Sequence, residues 1–149
     1  MKTYYNSPIL VSSCLLGICT RYDGNSQPNP EIIKLTKTKI LIPVCPEQLG
    51  GLSTPREPAE IVGNRVITKN GKDVTENFIK GAKETLKIAK IFGIKLAILK
   101  QYSPSCGCGK IYDGSFRGTV VKGDGITTRV LKKEGIMVVS EEEIGYIFP

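Results

Sequence analysis

The sequence predicts an α/β fold: a single-domain, Rossmann-like open sheet, mostly parallel, with flanking helices and an inserted β-hairpin. Two patterns lead to this prediction. Four short apolar runs are continuous rather than alternating, which is typical of parallel strands buried on both faces. Helical periodicity lies between or after these runs, as in a doubly wound fold. The runs cover residues 9–11, 40–42, 96–99 and 136–139.

The clearest predicted helix covers residues 75–92. Asp73 is a suitable N-cap, and Glu76 three residues later completes a capping-box pattern. Apolar side chains recur at helical spacing along this segment, and Gly93 supplies a left-handed C-terminal cap. Shorter helices are predicted over residues 31–36, 127–134 and 141–147.

The middle of the chain departs from this alternation of strands and helices. Within residues 60–68, two apolar pairs flank Gly63-Asn64-Arg65, which predicts a β-hairpin. The preceding residues 46–58 are rich in Pro and Gly and are predicted to form a long ordered loop, a feature that is usually functional. No repeat or linker interrupts the sequence, so residues 1–149 are expected to form one domain.

The composition excludes several kinds of chemistry. The 149 residues include no histidine, which removes histidine-based acid–base catalysis and mixed Cys/His metal sites. Five cysteines is an odd number, so internal disulfides cannot pair them all. No apolar run approaches the roughly 20 residues that span a bilayer, and the N-terminus lacks a signal-peptide pattern. We therefore expect a cytoplasmic protein with no membrane partner.

The net charge of +7 raises the question of a nucleic-acid partner. The lysines are spread along the chain, and the densest group lies on the polar face of the longest predicted helix. That pattern favours a solvated surface over a nucleic-acid interface. The charge pattern does not exclude an anionic small substrate or a tRNA as a partner.

Three cysteines follow three successive predicted strands. Cys14 comes after the first strand, Cys45 after the second, and Cys106 soon after the third. Because ligand sites in open α/β sheets lie beyond the carboxyl ends of the strands, these cysteines are expected to converge. Glycine and proline beside each cysteine allow the backbone to wrap closely around a bound group. The positions predict a shared site but no particular metal.

Three interpretations of these cysteines stay open on spacing alone. Free cysteines often act as small buried hydrophobes, which would make this a metal-free α/β protein. Structural zinc sites prefer paired cysteines, and only Cys14/Cys19 and Cys106/Cys108 lie close together, although catalytic zinc with three cysteines stays open. An iron–sulfur cluster with one open iron fits at least as well, whereas the four-cysteine spacing of ferredoxins is absent.

Each of these cysteines lies in a motif of several residues. The motifs are Ser13-Cys14-Leu15-Leu16-Gly17 with Arg21-Tyr22-Asp23-Gly24, Pro43-Val44-Cys45-Pro46-Glu47, and Ser103-Pro104-Ser105-Cys106-Gly107, with support from residues 50–56, 73–75 and 111–116. In these motifs and their order, the chain resembles over nearly its whole length the family once known only as domain of unknown function 523, whose members include the 2-thiouracil desulfidases. Cys19, which Thr20 separates from Arg21, and Cys108 lie outside this pattern, and their roles stay open.

The resemblance implies a [4Fe-4S] cluster bound by Cys14, Cys45 and Cys106, with the fourth iron free to bind the sulfur of a substrate. It also implies that Glu47 and Ser103 are the catalytic residues. The implied activity removes sulfur from a thiolated heterocycle such as 2-thiouracil, turning a thiocarbonyl into a carbonyl and releasing hydrosulfide.

Elementary chemistry agrees with this implication. A thiocarbonyl sulfur is soft and suits an open iron, and in a chain without histidine a carboxylate must activate the water. We expect the substrate to be a small thiolated base and a set of polar side chains to position it. The alternative function is a metal- or cluster-bearing module that binds RNA or nucleotides without turnover. The residues expected to bind the substrate are Arg21, Asp23, Arg56 and Ser105.

Turn, cap and ion-pair roles compete with these assignments. Asp23 precedes a glycine in a typical turn pair, and Ser103 precedes a proline, so both also fit turns. Arg56 could form an ion pair within its own loop. Glu47 could stabilise the start of a helix that begins after Pro46.

Overall fold

The computed structural model describes residues 7–149 and confirms the predicted fold class. Its strands are β1 (Ile9–Ser12), β2 (Leu41–Val44), β3 (Ala59–Val62), β4 (Arg65–Thr68), β5 (Leu96–Leu99), β6 (Lys110–Tyr112), β7 (Val120–Lys122) and β8 (Met137–Ser140). Its helices are α1 (Pro30–Lys34), α2 (Pro46–Leu49), α3 (Thr75–Ile91), α4 (Ile126–Lys133) and α5 (Ile144–Ile147), with 3₁₀ turns at Ser13–Leu16, Leu35–Lys37 and Glu141–Glu143. Within this described part, each helix is too short or too polar to cross a bilayer.

The four predicted apolar runs form one parallel sheet in the order β2-β1-β5-β8. Strand β1 is buried along its whole length, as its unbroken apolar pattern predicts. Strand β2 is at the edge, where Pro43 is tolerated because its missing N–H faces no partner strand. The chain runs from β1 to β2 on one side and returns to β5 on the other, so the strand order switches at β1.

Helices cover both faces of the sheet. Leu10 points to the face covered by α3 and α4, where it packs with residues such as Ala89 and Leu131. Its neighbours Ile9 and Val11 point to the opposite face and pack with Ile32 of α1. This alternation follows from the two-residue period of a strand. The cores on the two faces fix the sheet and therefore the directions in which its strands end.

Helix α3 confirms the helix predicted over residues 75–92, with one correction at its start. The N-cap position is Val74 rather than Asp73, and no capping box with Glu76 forms. The Asp73 carboxylate instead accepts hydrogen bonds from the backbone N and the hydroxyl of Thr75, at 2.9 and 2.6 Å. At the other end, Gly93 has the predicted left-handed conformation, with φ of +63°.

Two antiparallel hairpins lie outside the main sheet. The pairing of β3 with β4 confirms the hairpin predicted within residues 60–68. The pairing of β6 with β7 was not predicted, because these strands have only three residues each and show no clear periodicity. The two hairpins therefore lie outside the alternation of parallel strands and helices that forms the main sheet.

The stretch of residues 46–58 is not a loop throughout, because it opens with helix α2. Gly81 brings α3 so close that a Cβ on this residue would lie 1.9 Å from the carbonyl oxygen of Pro46. A Cβ on Gly50 would likewise lie 2.0 Å from the carbonyl oxygen of Asn77. Only glycine permits this backbone contact. The contact fixes α2, and with it the segment that contains Cys45 and Glu47.

Candidate active site

A cavity of about 530 Å³ opens at the carboxyl ends of β1, β2 and β5. Cys14 reaches it from the 3₁₀ turn after β1, Cys45 from the junction of β2 and α2, and Cys106 from the loop after β5. The structure therefore brings together the three cysteines that the sequence places at strand ends. Their position agrees with the general location of ligand sites at the switch in strand order. Their role as ligands stays a prediction at this point.

Burial dominates the chemistry of these three thiols. It raises the pKa of Cys14 to about 11, against the opposing charge of Lys100. It raises the pKa of Cys106 to about 12, against a hydrogen bond from the hydroxyl of Ser105. Burial also raises the pKa of Cys45, although a backbone hydrogen bond from Gln48 opposes it. Thiols in such surroundings form thiolates when a cationic metal centre replaces their protons.

The donor set fits an extended group better than a single ion. Within residues 7–149, no three His, Cys, Asp or Glu side chains lie close enough to surround one metal ion. In a [4Fe-4S] cluster, each cysteine binds a different iron atom, so the sulfur ligands are held apart around a larger body. Two buried thiols, of Cys14 and Cys106, and the half-buried thiol of Cys45 lie on the wall of one cavity and match that requirement.

Glu47 lies at the centre of the hydrogen bonds in this cavity. Its Oε1 forms an ion pair with Nε of Arg56 at 3.0 Å, and its Oε2 accepts a hydrogen bond from the Ser105 hydroxyl at 2.8 Å. The Glu47 and Arg56 side chains are only 14% and 7% exposed. Because both charges are largely removed from water, the ion pair is held more firmly than a surface pair. The carboxylate is therefore oriented from both sides.

The two serines form a chain of hydroxyl groups that leads to Glu47. The hydroxyl oxygens of Ser103 and Ser105 are 2.8 Å apart, and Ser103 Oγ is 3.4 Å from Glu47 Oε2. Ser103 Oγ also accepts hydrogen bonds from the backbone N of Ser105 and of Cys106, each at 3.1 Å. Ser103 thus has the predicted turn role as well as its place in the cavity. Ser105 is the closer of the two to the carboxylate.

Arg56 uses all five of its N–H donors within the protein. Sequence reasoning placed this side chain against the substrate, and that role stays a prediction. The structure shows an arginine that links three segments: the one after β1, the start of α2 and the turn before β3. Its acceptors are Glu47 Oε1 at 3.0 Å, Ser53 O at 3.2 Å, Thr54 Oγ1 at 2.8 Å, Thr20 O at 2.9 Å and Cys45 Sγ at 3.9 Å.

Of the other two expected substrate residues, Arg21 lines the cavity and Asp23 does not. Arg21 lines the cavity, where Nη1 donates to the side chain of Gln27 and the guanidinium carbon lies 5.8 Å from the ring centre of Tyr22. Asp23 is exposed and is not part of the cavity wall. Its carboxylate accepts a hydrogen bond from the backbone N of Asn25, which lowers its pKa and closes the turn.

Cys19 and Cys108 lie outside the cavity wall. Cys19 is exposed. Cys108 is buried in the core, where its thiol donates to the carbonyl oxygen of Val138 at 3.3 Å. The side-chain amide of Gln101 accepts from the backbone N of Cys108 at 2.7 Å and donates to its carbonyl oxygen at 2.8 Å. Gln101 therefore holds the loop that carries Cys106.

Sequence reasoning missed several residues of the cavity wall. Lys100 lies 3.0 Å from the Glu141 carboxylate and 5.4 Å from the ring centre of Tyr102. It follows β5 directly, so the strand-end argument that found the cysteines also applies to it. Glu60 and Phe116 come from the two hairpins and carry no comparable positional signal.

Comparison with known proteins agrees with this geometry. The family model described as 2-thiouracil desulfurase matches residues 9–143. The uncharacterized protein YbbK of Bacillus subtilis (strain 168) is 46% identical, over 93% of this chain and 99% of YbbK. A solved structure described as the [4Fe-4S]-dependent thiouracil desulfidase TudS is 43% identical, with a TM-score of 0.89 over 95% of each chain. The chain belongs to the 2-thiouracil desulfurase family, as its motifs predict.

Proposed function

We propose that this protein is a [4Fe-4S]-dependent desulfidase that exchanges the sulfur of a thiolated heterocycle, such as 2-thiouracil, for oxygen. Water adds its oxygen to the thiocarbonyl carbon, the bonds to sulfur break, and sulfur leaves with its electrons and one proton of the water as hydrosulfide. The other proton of the water passes to solvent. Nothing is oxidised or reduced in this exchange, so no electron donor is needed. The main support is a single observation: three thiols, two buried and one half-buried, line one cavity together with a fixed carboxylate. Family membership and the similarity to TudS support the same reaction.

The residues that would hold the cluster are Cys14, Cys45 and Cys106. Their burial suits a group that is protected from water, and three ligands leave one iron without a protein thiolate. When bound, the cluster supplies a soft Lewis acid for the thiocarbonyl sulfur. The protein adds the positive charges of Lys100 and Arg56, which oppose the rise in pKa of Cys14 and Cys45 respectively.

We assign activation of the attacking water to Glu47. Its carboxylate takes a proton from the attacking water, a task for which this chain offers no histidine. Ser105 holds Oε2 of this carboxylate at 2.8 Å, and Ser103 extends the hydroxyl chain by another 2.8 Å. That chain offers a route by which the proton can reach the departing sulfur.

Arg56 and Arg21 have different roles in this proposal. Because every N–H donor of Arg56 is engaged, this residue positions Glu47 and Cys45 rather than contacting the substrate. Arg21 lines the cavity and is only about one-third exposed, so we assign it to substrate positioning. Asp23 would act through Arg21, because the Asp23 carboxylate lies 3.6 Å from Nε of Arg21.

The direct test is anaerobic purification with iron and sulfide counting, followed by a hydrosulfide assay on 2-thiouracil. We expect about four irons and four sulfides per chain, together with release of hydrosulfide. Cys45→Ala should lose both the cluster and the activity. Cys19→Ala is the matched control, because this exposed cysteine lies outside the cavity wall. A wild-type protein without a cluster, or full activity in Cys45→Ala, would refute the proposal.

A further inference from the structure

Glu60 is a buried carboxylate on the cavity wall that the proposed chemistry does not use. It lies on β3, is 8% exposed, and has no arginine or lysine partner among the ion pairs of residues 7–149. Its Oε1 instead accepts hydrogen bonds from the backbone N of Gly114 at 2.9 Å and of Phe116 at 3.1 Å. A buried charge needs such partners, and bonds from N–H groups to a carboxylate are among the stronger ones. Glu60 therefore attaches the turn between β6 and β7 to the other hairpin.

The attached turn is held in an unusual conformation. Phe116 has φ of +59°, a left-handed value that is strained for an aromatic residue. Gly114 approaches β3 so closely that a Cβ would lie 2.8 Å from the carbonyl oxygen of Ile61. The Asp113 carboxylate accepts from the backbone N of Ser115 at 2.9 Å, which closes the turn on itself. Strain of this kind persists only where surrounding contacts fix the backbone, and Glu60 supplies two of those contacts.

Phe116 differs from the other aromatic residues that line the cavity. The Tyr102 hydroxyl donates to Glu142 at 2.7 Å, and its ring lies 6.0 Å from that of Tyr112. Tyr22 is 41% exposed, and its ring lies beside the guanidinium of Arg21. Phe116 is positioned through its backbone, and its half-buried side chain lines the cavity together with Glu60.

A thiolated pyrimidine is flat, and aromatic side chains recognise flat bases by stacking on their faces. We propose that the turn formed by residues 113–118 recognises the substrate, with Phe116 packing on the face of the thiolated base and Glu60 as the positioning residue for Phe116. This inference rests on the proposed function. It assigns recognition of the base to the hairpins, whereas the cysteines and Glu47 at the strand ends serve the reaction at the sulfur.

The first experiment compares steady-state kinetics of Phe116→Ala with those of the wild type, using cluster-loaded protein. Loss of stacking should raise KM for 2-thiouracil about tenfold or more, with kcat within about threefold and iron content unchanged. Phe116→Tyr keeps a ring and should recover most of the lost affinity. Tyr146→Ala is the control, since this side chain is 88% exposed and lies outside the cavity wall. An unchanged KM in Phe116→Ala would overturn the proposal.

The second experiment tests whether Glu60 acts through Phe116. Glu60→Ala should raise KM to a similar extent, and the double variant should be no worse than either single variant, because both remove the same contact. Effects that multiply in the double variant would overturn the positioning role of Glu60. A loss of iron content or of folded protein in Glu60→Ala, with KM unaffected in the remaining active fraction, would also overturn it.

A binding measurement separates this inference from the proposed function. Calorimetry with uracil, which shares the ring of the substrate, reports on recognition without turnover. If the wild type binds uracil but does not convert 2-thiouracil, the proposed function fails, and weaker binding by Phe116→Ala would still support recognition by Phe116. If the wild type neither binds uracil nor converts 2-thiouracil, both proposals fail. Equal binding of uracil by the wild type and Phe116→Ala overturns recognition alone.

Discussion

The cavity has two sides of different origin, and they differ in how the protein holds them. The strand-end side carries Cys14, Cys45 and Cys106 on segments that directly follow parallel strands with buried cores on both faces. The hairpin side carries Glu60 and Phe116 on two-stranded ribbons outside the main sheet. Two apolar cores fix the strands that lead into the first side, and hydrogen bonds of Arg56 and Gln101 hold its loops. The hairpins share a smaller apolar core, which includes Ile61 and Ile111, and Glu60 attaches the turn with Phe116. We propose that the strand-end side serves the reaction and that the hairpin side serves recognition of the substrate.

The largest effect is expected on the strand-end side, from Glu47→Gln. The amide keeps the shape of the side chain and can still accept from Ser105, but it cannot take up a proton from water. We expect kcat for 2-thiouracil to fall by about 10²-fold or more while the iron content is retained. Steady-state kinetics and iron counting on the same sample check this expectation.

Glu57→Gln is the matched control for that substitution. Glu57 lies in the same segment of the chain but is exposed and does not line the cavity. It should leave kcat unchanged. A Glu47→Gln variant that keeps full activity would remove the carboxylate from the mechanism and leave the strand-end side with a purely structural network.

An intermediate effect is expected from Gly81→Ala, which tests how the strand-end side is held. The new Cβ would lie 1.9 Å from the carbonyl oxygen of Pro46, so α2 must move away from α3. We expect a loss of about 1–3 kcal/mol in the free energy of unfolding, as in overpacked cores, together with a lower iron content. Urea unfolding and iron counting are the measurements.

Gly145→Ala serves as the control for Gly81→Ala. Gly145 also lies in a helix, but a Cβ there would meet no atom within 4 Å. Alanine is the better helix former, so this substitution should be neutral or slightly stabilising. Equal stability losses in the two variants would mean that the contact between α2 and α3 does not fix the site.

The smallest effect is expected on the hairpin side, from Asp73→Asn. The hydrogen bonds from Thr75, and then the pairing with Arg65, lower the pKa of Asp73 to about 2, from an ordinary value of 3.8. A lowered pKa means that the charged form stabilises the fold above the ordinary value and that this contribution is lost as the pH falls towards 2. The wild type should therefore be slightly more stable than Asp73→Asn at neutral pH.

Urea unfolding midpoints measured across that pH range check the expectation for Asp73. The difference in unfolding midpoint between the wild type and Asp73→Asn should narrow below about pH 4, because Asp73 of the unfolded wild type takes up its proton there. A difference that stays constant with pH would mean that the charge of Asp73 does not stabilise the junction of β4 and α3. The predicted loss is small because Asp73 and its partner Arg65 both lie at the surface, with side chains that are 39% and 52% exposed.

The strand-end side could be predicted because one rule governs it. Buried parallel strands appear in the sequence as continuous apolar runs, and residues that follow such strands meet at one edge of the sheet. By this rule Cys14, Cys45 and Cys106 come together, although Cys14 and Cys106 lie 92 positions apart in the chain. The same rule applies to Lys100, but a lysine after a strand is common on protein surfaces and so carries no functional signal of its own.

The hairpin side could not be predicted in the same way. Strands β6 and β7 have three residues each, too few for a two-residue period to stand out. The bond between Glu60 and Phe116 joins residues 56 positions apart through backbone N–H groups, which every residue carries and no motif reveals. The five hydrogen bonds of Arg56 could not be predicted for a related reason. Three of its acceptors lie on separate segments of the chain: Thr20 O, Ser53 O and Cys45 Sγ.

The engagement of Arg56 also has a consequence for motion. Its guanidinium connects the segment after β1, the start of α2 and the turn before β3, so none of them can open alone without breaking a hydrogen bond to a largely buried charge. Segments coupled in this way open together, as one cooperative unit, rather than fraying one by one. We therefore expect the wall around Cys45 and Glu47 to open as one unit.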